Sequence, residues 1–192
     1  RALYPLVILM ALKSTICKAE LQVSDLDRHY YQAHNLTLAR HPSETDERMM
    51  VRLLAFALYA NDALSFGKGL SAEDEPDLVE LDPTGSIARW IDVGLPDERN
   101  VRRASHRSRE MVLITYGGRI ADMWWQQNES KLAGLGNLTV INLTVEESAV
   151  LTSLAGKSMR LQCTIQDGLV WLADGTGNHE FSPRVLKTSI RV

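Results

Sequence analysis

Hydrophobic and polar positions alternate with a period of two near the start of the chain. Thr15-Ile16-Cys17-Lys18-Ala19-Glu20-Leu21-Gln22-Val23 reads as one strand and Tyr30 to Leu38 as a second, with the polar turn Ser24-Asp25-Leu26-Asp27-Arg28 between them, so an antiparallel pair is expected. The period then changes to that of a helix. Met50, Leu53, Leu54, Ala57 and Leu58 recur at three- and four-residue intervals, and Val51, Phe56 and Tyr59 widen the stripe, which predicts a helix largely buried against a sheet. Ser43 is the expected N-cap, with Asp46 three residues on and acids crowding the first turn. Glu47, three residues before Met50 and seven before Leu54, is expected on the inward face, with Glu44 and Arg48 turned to water. Asn61-Asp62 ends the helix, Leu64 to Phe66 reads as a short strand, and Gly67-Lys68-Gly69 as a flexible link.

Two apolar runs, Leu78 to Leu81 and Ile87 to Val93, flank Pro83-Thr84-Gly85 and predict a β-hairpin. A helix is expected from about Glu98 to Glu110, with Val101, Ala104, Ser105, Ser108 and Met111 as its small inward side. The continuous apolar run Met111 to Tyr116 predicts a strand buried on both faces, so the segment 86–116 forms a right-handed strand–helix–strand crossover with parallel strands. Gly117-Gly118 leads into Ile120 to Trp125, expected as a strand whose Trp124 and Trp125 face opposite sides, and Gln126 to Leu135 reads as a short helix. A strand at Leu138 to Leu143, a helix from about Val145 to Leu154 and a hairpin, Met159 to Ile165 with Leu169 to Leu172 around Asp167-Gly168, complete the pattern. Beyond Asp174 the polar tail is expected to be poorly ordered.

Composition narrows the class without naming a function. At 192 residues, 45% hydrophobic and 23% charged, the chain is an ordinary globular length and mixture with no repeat, linker or low-complexity segment. Its net charge of −3, from 21 basic and 24 acidic residues, excludes nucleic-acid binding by overall charge and leaves only a local patch. Cys17 and Cys163 lack zinc-site spacing, which fits a cytoplasmic protein with two free thiols, a disulfide between them being the other arrangement. The apolar run Leu6 to Leu12 is too short to span a membrane, so no membrane association is expected. Met10 reads as the native start, residues 1–9 as an extension ahead of it, and residues 10–192 as one domain.

The candidate chemistry is carboxylate chemistry. Asp77 opens the first central strand directly after Pro76, and Asp92 stands inside the second between Ile91 and Val93, where an unpaired charge is expensive to bury. With Glu47 they form three acids converging in the derived layout, and oxygen-only ligands suit Mg²⁺ or Mn²⁺. The bland assignment makes Asp77 a turn residue, Asp92 an arginine's partner and Glu47 a helix-start acid. Arg99, Arg102, Arg103, Arg107 and Arg109 put five arginines into eleven residues. With His106 they make a candidate phosphate face for nucleic acid, the alternative being solvated surface.

A helix, a hairpin carrying Pro76-Asp77 and Asp92, then a helix and a parallel strand is similar to the core of the PD-(D/E)XK nuclease superfamily, with Glu47, Asp77 and Asp92 at the matching positions. One position departs from the pattern. The superfamily motif ends acid-x-Lys, whereas Gly94 stands here, and Arg102 and Arg103 are the nearest replacements in sequence. A narrower resemblance is carried by Leu38-Ala39-Arg40-His41-Pro42-Ser43-Glu44-Thr45-Asp46-Glu47-Arg48-Met49-Met50, Asp74-Glu75-Pro76, Trp90-Ile91-Asp92-Val93-Gly94-Leu95-Pro96-Asp97-Glu98-Arg99, Trp124-Trp125-Gln126-Gln127-Asn128 and Thr164-Ile165-Gln166-Asp167-Gly168. From Met10 to about Asp174 the chain resembles the YaeQ family of bacterial proteins. That resemblance implies a cytoplasmic α/β protein of the mixed-sheet, α+β kind: a variant restriction-endonuclease-like core with extra β-hairpins in its N- and C-terminal parts. Two functions follow as expectations. One is a magnesium-dependent nuclease or DNA-processing enzyme acting through Glu47, Asp77 and Asp92 with Arg102 and Arg103. The other is a catalytically inactive relative that binds nucleic acid or protein as a regulatory module.

Overall fold

The computed structural model describes residues 13–67 and 74–190, so the expectations about Met10, the first nine residues and the Lys68-Gly69 part of the link lie outside the described residues. In chain order the elements are β1 (Thr15–Asp25), β2 (Tyr30–Arg40), α1 (Asp46–Tyr59), β3 (Leu64–Phe66), β4 (Leu78–Leu81), β5 (Ile87–Val93), α2 (Glu98–Arg107), β6 (Glu110–Thr115), α3 (Arg119–Leu132), β7 (Leu138–Asn142), α4 (Val145–Ser153), β8 (Ser158–Gln166), β9 (Leu169–Ala173), β10 (Asn178–Phe181) and β11 (Arg184–Lys187). They form two sheets, ordered β10-β9-β8-β1-β2 and β11-β7-β6-β5-β4-β3. No helix among the described residues is long and apolar enough to cross a membrane.

The first sheet follows the period-two pattern directly. β1 and β2 pair antiparallel, from Thr15↔Arg40 to Asp25↔Tyr30, and Cys17, Ala19, Leu21 and Val23 alternate inward along β1. β8 adds in parallel to β1, and β9 returns from it through Asp167 and Gly168, whose φ of 52° and 76° suit the tight turn that an Asp-Gly pair favours. Cys17 and Cys163 are both buried free thiols.

The second sheet carries the central hairpin. β4 pairs antiparallel with β5, β5 runs parallel to β6 and β6 parallel to β7, as the continuous apolar runs predict. Alternation assigns the faces. Trp90, Met111 and Leu113 pack with Val101 and Ala104 of α2 and Trp125 and Leu132 of α3. Ile91, Val93, Val112 and Ile114 point the other way, into a larger core shared with α1, α4 and the inner face of the first sheet. α1 therefore lies between two sheets, and Met49 to Ala57 are buried without a break, as expected of a helix enclosed on all sides.

Three stretches differ from the sequence reading. Residues 119–132 form one helix, α3, in place of a strand and a short helix, because Ala121, Trp125, Asn128 and Leu132 recur at helical spacing and bury one stripe. Trp124 consequently sits beside that stripe, half-buried, and donates its indole N–H to the Pro96 carbonyl at 2.9 Å. The tail is ordered: β10 pairs with β9 and buries Phe181, while β11 pairs with β7 at the edge of the second sheet. The helix after the hairpin ends at Arg107, three residues early, and Glu110 already belongs to β6.

Candidate functional site

The site is assembled where α1 begins, β4 begins and β5 ends. Thr45 caps α1, accepting the Arg48 backbone N–H at 3.1 Å, so Ser43 lies before the cap in a turn, where its N–H donates to the His41 side chain at 3.2 Å. The same turn donates the Glu44 N–H to the His41 carbonyl at 2.8 Å and swings Glu44 into the protein. Glu44 and Arg48 are therefore not the outward pair expected from sequence. The Glu44 side chain is 0% exposed and that of Arg48 17%, whereas Glu47 is only half-buried.

Glu44, Arg48 and Arg52, spaced by four along the chain, make a buried charge ladder. Arg52 donates to Glu44 through Nε at 2.8 Å and Nη2 at 2.7 Å, and to the Ala39 carbonyl at 3.1 Å. Arg48 reaches Glu44 at 3.0 Å with Nη1 and grips Asp77 with Nη2 at 2.7 and 2.9 Å. Burial works against the Arg48 charge, but Asp77 and Glu44 outweigh it and hold the guanidinium above its ordinary range.

Gly67 helps to place Asp77. A Cβ there would collide with the Pro76 carbonyl, and the bare backbone passes close enough for the Gly67 N–H to donate to the Asp77 carbonyl at 2.8 Å. The buried Asp77 carboxylate also accepts the Val93 N–H at 2.9 Å, and the Asp77 N–H donates to Asp92 Oδ1 at 3.2 Å. The hairpin thus brings Asp77 and Asp92 into one hydrogen-bonded unit. Burial, and then the neighbouring Asp77 charge, push the Asp92 carboxyl up to about 7. The Trp90 indole, the Asp77 N–H and Arg48 oppose that rise. Trp90 Nε1 is itself buried without a hydrogen bond of normal geometry among the described residues. Tyr116, at the end of β6, completes the group. Burial lifts its hydroxyl to about 12, Arg48 pulls it back, and Glu47, Asp77 and Glu44 add to the rise.

Asp77 and Asp92 are thus joined, and Glu47 stands near enough to act on Tyr116. Among the described residues no three His, Cys, Asp or Glu side chains are grouped closely enough to hold a metal ion between them. Mg²⁺ is commonly held by one or two carboxylates with water and phosphate oxygens completing its shell, and Asp77 and Asp92 are the two carboxylates here that could serve.

The arginines of α2, and Arg109 just beyond it, are spread among local partners. Arg102 donates to the Lys131 carbonyl at 2.9 Å and to Glu98 at 3.3 Å. Arg103 pairs with Asp74 and donates to Asn100 at 2.7 Å, Arg107 stacks 5.2 Å over the Trp90 ring, and Arg109 pairs with Asp82 at 2.7 Å. Arg99 is the most loosely paired of them, 86% exposed and 4.0 Å from Asp97, and His106 is exposed. The guanidinium that touches the candidate acids is Arg48. Its four-residue spacing to Glu44 and Arg52 is the signal that identifies it in the sequence, whereas nothing in the pattern marks Tyr116.

A family profile described as "YaeQ protein" matches residues 10–183. "Uncharacterized protein YaeQ" of Escherichia coli K12 and that of Salmonella typhi are each 49% identical over 171 residues, covering 89% of this chain and 94% of each relative. The crystal structure of YaeQ protein from Xanthomonas axonopodis pv. citri superposes with a TM-score of 0.88 at 50% identity, over 91% of this chain and 98% of that one. The YaeQ protein from Pseudomonas syringae superposes with a TM-score of 0.87 at 36% identity, over 93% and 98%. The chain belongs to the YaeQ family.

Proposed function

We propose that the chain is a divalent-metal-dependent phosphodiesterase of the nuclease type, with α1, β3, β4, β5, α2 and β6 as its restriction-endonuclease-like core. The observation that carries this reading is the joined pair Asp77 and Asp92, donated by the two strands of one hairpin, with the Asp92 carboxyl pushed up to about 7 by burial and by the Asp77 charge. Asp77 and Asp92 would hold Mg²⁺ or Mn²⁺ as a pair, since Glu47 of α1 is not grouped closely enough with them to be a third ligand. The ion's chemistry there is to lower the pKa of a bound water and to withdraw charge from a phosphate oxygen. Arg99, Arg102, Arg103 and His106 would supply phosphate contacts, with Arg102 and Arg103 first giving up their present partners.

A second reading keeps the core and drops the cleavage: a nuclease-fold relative that binds nucleic acid or protein as a regulatory module. It is favoured by Arg48 Nη2, which bonds both Asp77 oxygens and so uses a candidate ligand as an ion-pair partner, and by Gly94 in place of lysine. A panel of single- and double-stranded DNA and RNA, incubated with Mg²⁺ and with Mn²⁺, separates the two. Slow cleavage that disappears in Asp92→Ala supports the enzyme. An intact panel, or cleavage unchanged in Asp92→Ala, leaves the binding module.

A further inference from the structure

The pattern that this core resembles places a lysine where Gly94 stands, and the arginines nearest in sequence, Arg102 and Arg103, are engaged with Glu98, the Lys131 carbonyl, Asp74 and the Asn100 side chain. Arg52 is no substitute: it is 1% exposed, and its Nε and Nη2 are taken up by both Glu44 oxygens and the Ala39 carbonyl. Arg48 differs from all of these. It is the guanidinium on Asp77, it keeps a solvent-facing fraction, and its two contacts are unequal in what they satisfy. Glu44 already has its charge met by the paired Nε and Nη2 of Arg52, so its bond to Arg48 Nη1 adds a tether. Asp77 has no other side-chain cation at hydrogen-bond distance among the described residues, so its bonds to Arg48 Nη2 are the neutralising ones.

Resting on the metal-dependent reading above, we infer that Arg48 is a displaceable counter-ion and the phosphate-positioning residue that stands in for the absent lysine. In the metal-free protein it neutralises Asp77. With a divalent cation bound at the acids, the Asp77 contact is given up, and Arg48, still held through Glu44, turns its freed Nη2 to a phosphate oxygen. Only side-chain torsions change, because the Glu44 contact fixes one end of the planar fork while the other is released. Guanidinium suits this task and not that of a base, since it stays protonated throughout.

Competition between two cations for one carboxylate gives a signature that a merely structural arginine lacks: removing Arg48 should strengthen metal binding and weaken phosphate binding. The test uses the full chain as wild type, R48M and R48K. Mn²⁺ is titrated by electron paramagnetic resonance, and thymidine 5′-monophosphate by calorimetry with Mn²⁺ present. R48M is expected to bind Mn²⁺ at least about fivefold more tightly and the nucleotide at least about tenfold more weakly, the ordinary span of site-to-site coupling. R48K, a point charge without the fork, should recover part of the nucleotide affinity. If R48M does not fold, judged by circular dichroism, R48Q is put to the same criteria. Wild type that binds Mn²⁺ while the variant binds it no more tightly, or binds the nucleotide as well as wild type does, overturns the role of Arg48 and leaves the metal site standing. Wild type that binds no Mn²⁺ overturns both.

Discussion

Replacing Asp92 by Asn tests the electrostatics of the site without needing a substrate. Asparagine keeps an oxygen to accept the Asp77 N–H, so the bond at 3.2 Å survives and the charge alone is removed. The Asp92 carboxyl has an ordinary value of 3.8 and titrates near 7 in the folded protein. The folded state therefore holds this proton more firmly than the unfolded chain does. For such a group the stabilising contribution is intact below pH 3.8, is lost progressively as the pH rises, and is fully lost above 7. At about 1.4 kcal/mol per pKa unit, the wild-type penalty grows from about 1 kcal/mol near pH 4.5 to about 4 kcal/mol above pH 7.5. Asp92→Asn never acquires it. The melting-temperature difference, variant minus wild type, should accordingly increase by roughly 6–12 °C between those two pH values for a chain of this length. Thermal unfolding in chelator at five or six pH values reads the slope directly. A difference that stays flat across the window, or that falls as the pH rises, would refute the claim that burial and Asp77 keep Asp92 near neutrality. Adding Mg²⁺ above pH 7.5 should recover part of the wild-type loss and leave Asp92→Asn unmoved.

Glu44→Gln leaves Arg52, 1% exposed, without its ionic partner, and should cost roughly 3–5 kcal/mol in urea unfolding; a loss under about 1 kcal/mol would mean that the pair is more hydrated than its burial indicates. Thr45→Ala removes the side-chain acceptor at the start of α1 and should cost about 1 kcal/mol, while Ser43→Ala should be nearly neutral, which chemical denaturation of the two variants compares directly. Gly67→Ala forces a Cβ against the Pro76 carbonyl and should destabilise by about 1–3 kcal/mol, accompanied by a shift of the Asp77 backbone amide resonance.

Elements whose local signal and tertiary setting agree were legible in the sequence. The β1–β2 pair, the central hairpin and the Asp-Gly hairpin each combine alternation with a turn of matching chemistry, and the continuous run of β6 marks a strand with helices on one side and a core on the other. α3 and the tail were not legible for opposite reasons. In α3 the paired tryptophans and Met123 imitate a strand, and Gly118 offers no side-chain cap to announce a helix, so only the spacing of Ala121, Trp125, Asn128 and Leu132 shows the true period. In the tail, β10 and β11 are edge strands with little to bury. Their order comes from pairing with β9 and β7, a partner-dependent term that composition does not record.

The acids divide along the same line. Asp77 and Asp92 could be placed from the sequence because the hairpin register fixes both: a Pro-Asp at the head of one strand and an acid near the end of the next are brought together once β4 and β5 pair. Glu44 and Glu47 could not be ranked by helical periodicity. Glu44 precedes the cap, so its direction is set by the His41 turn and not by a period of 3.6. Glu47 is inside the helix, but α1 lies between two sheets and has no single inward face against which to count. The same enclosure explains why Arg48 and Arg52 point inward. A helix buried on all sides cannot send every polar residue to water, and a buried guanidinium is tolerated where carboxylates meet it, here Glu44 and Asp77. Glu44, Asp77 and Asp92 then divide between two fates, an arginine of α1 or a raised pKa. Asp92, which no arginine reaches with a direct bond among the described residues, has the second, and that makes it the residue through which a cation, a proton or a substrate phosphate would be felt first.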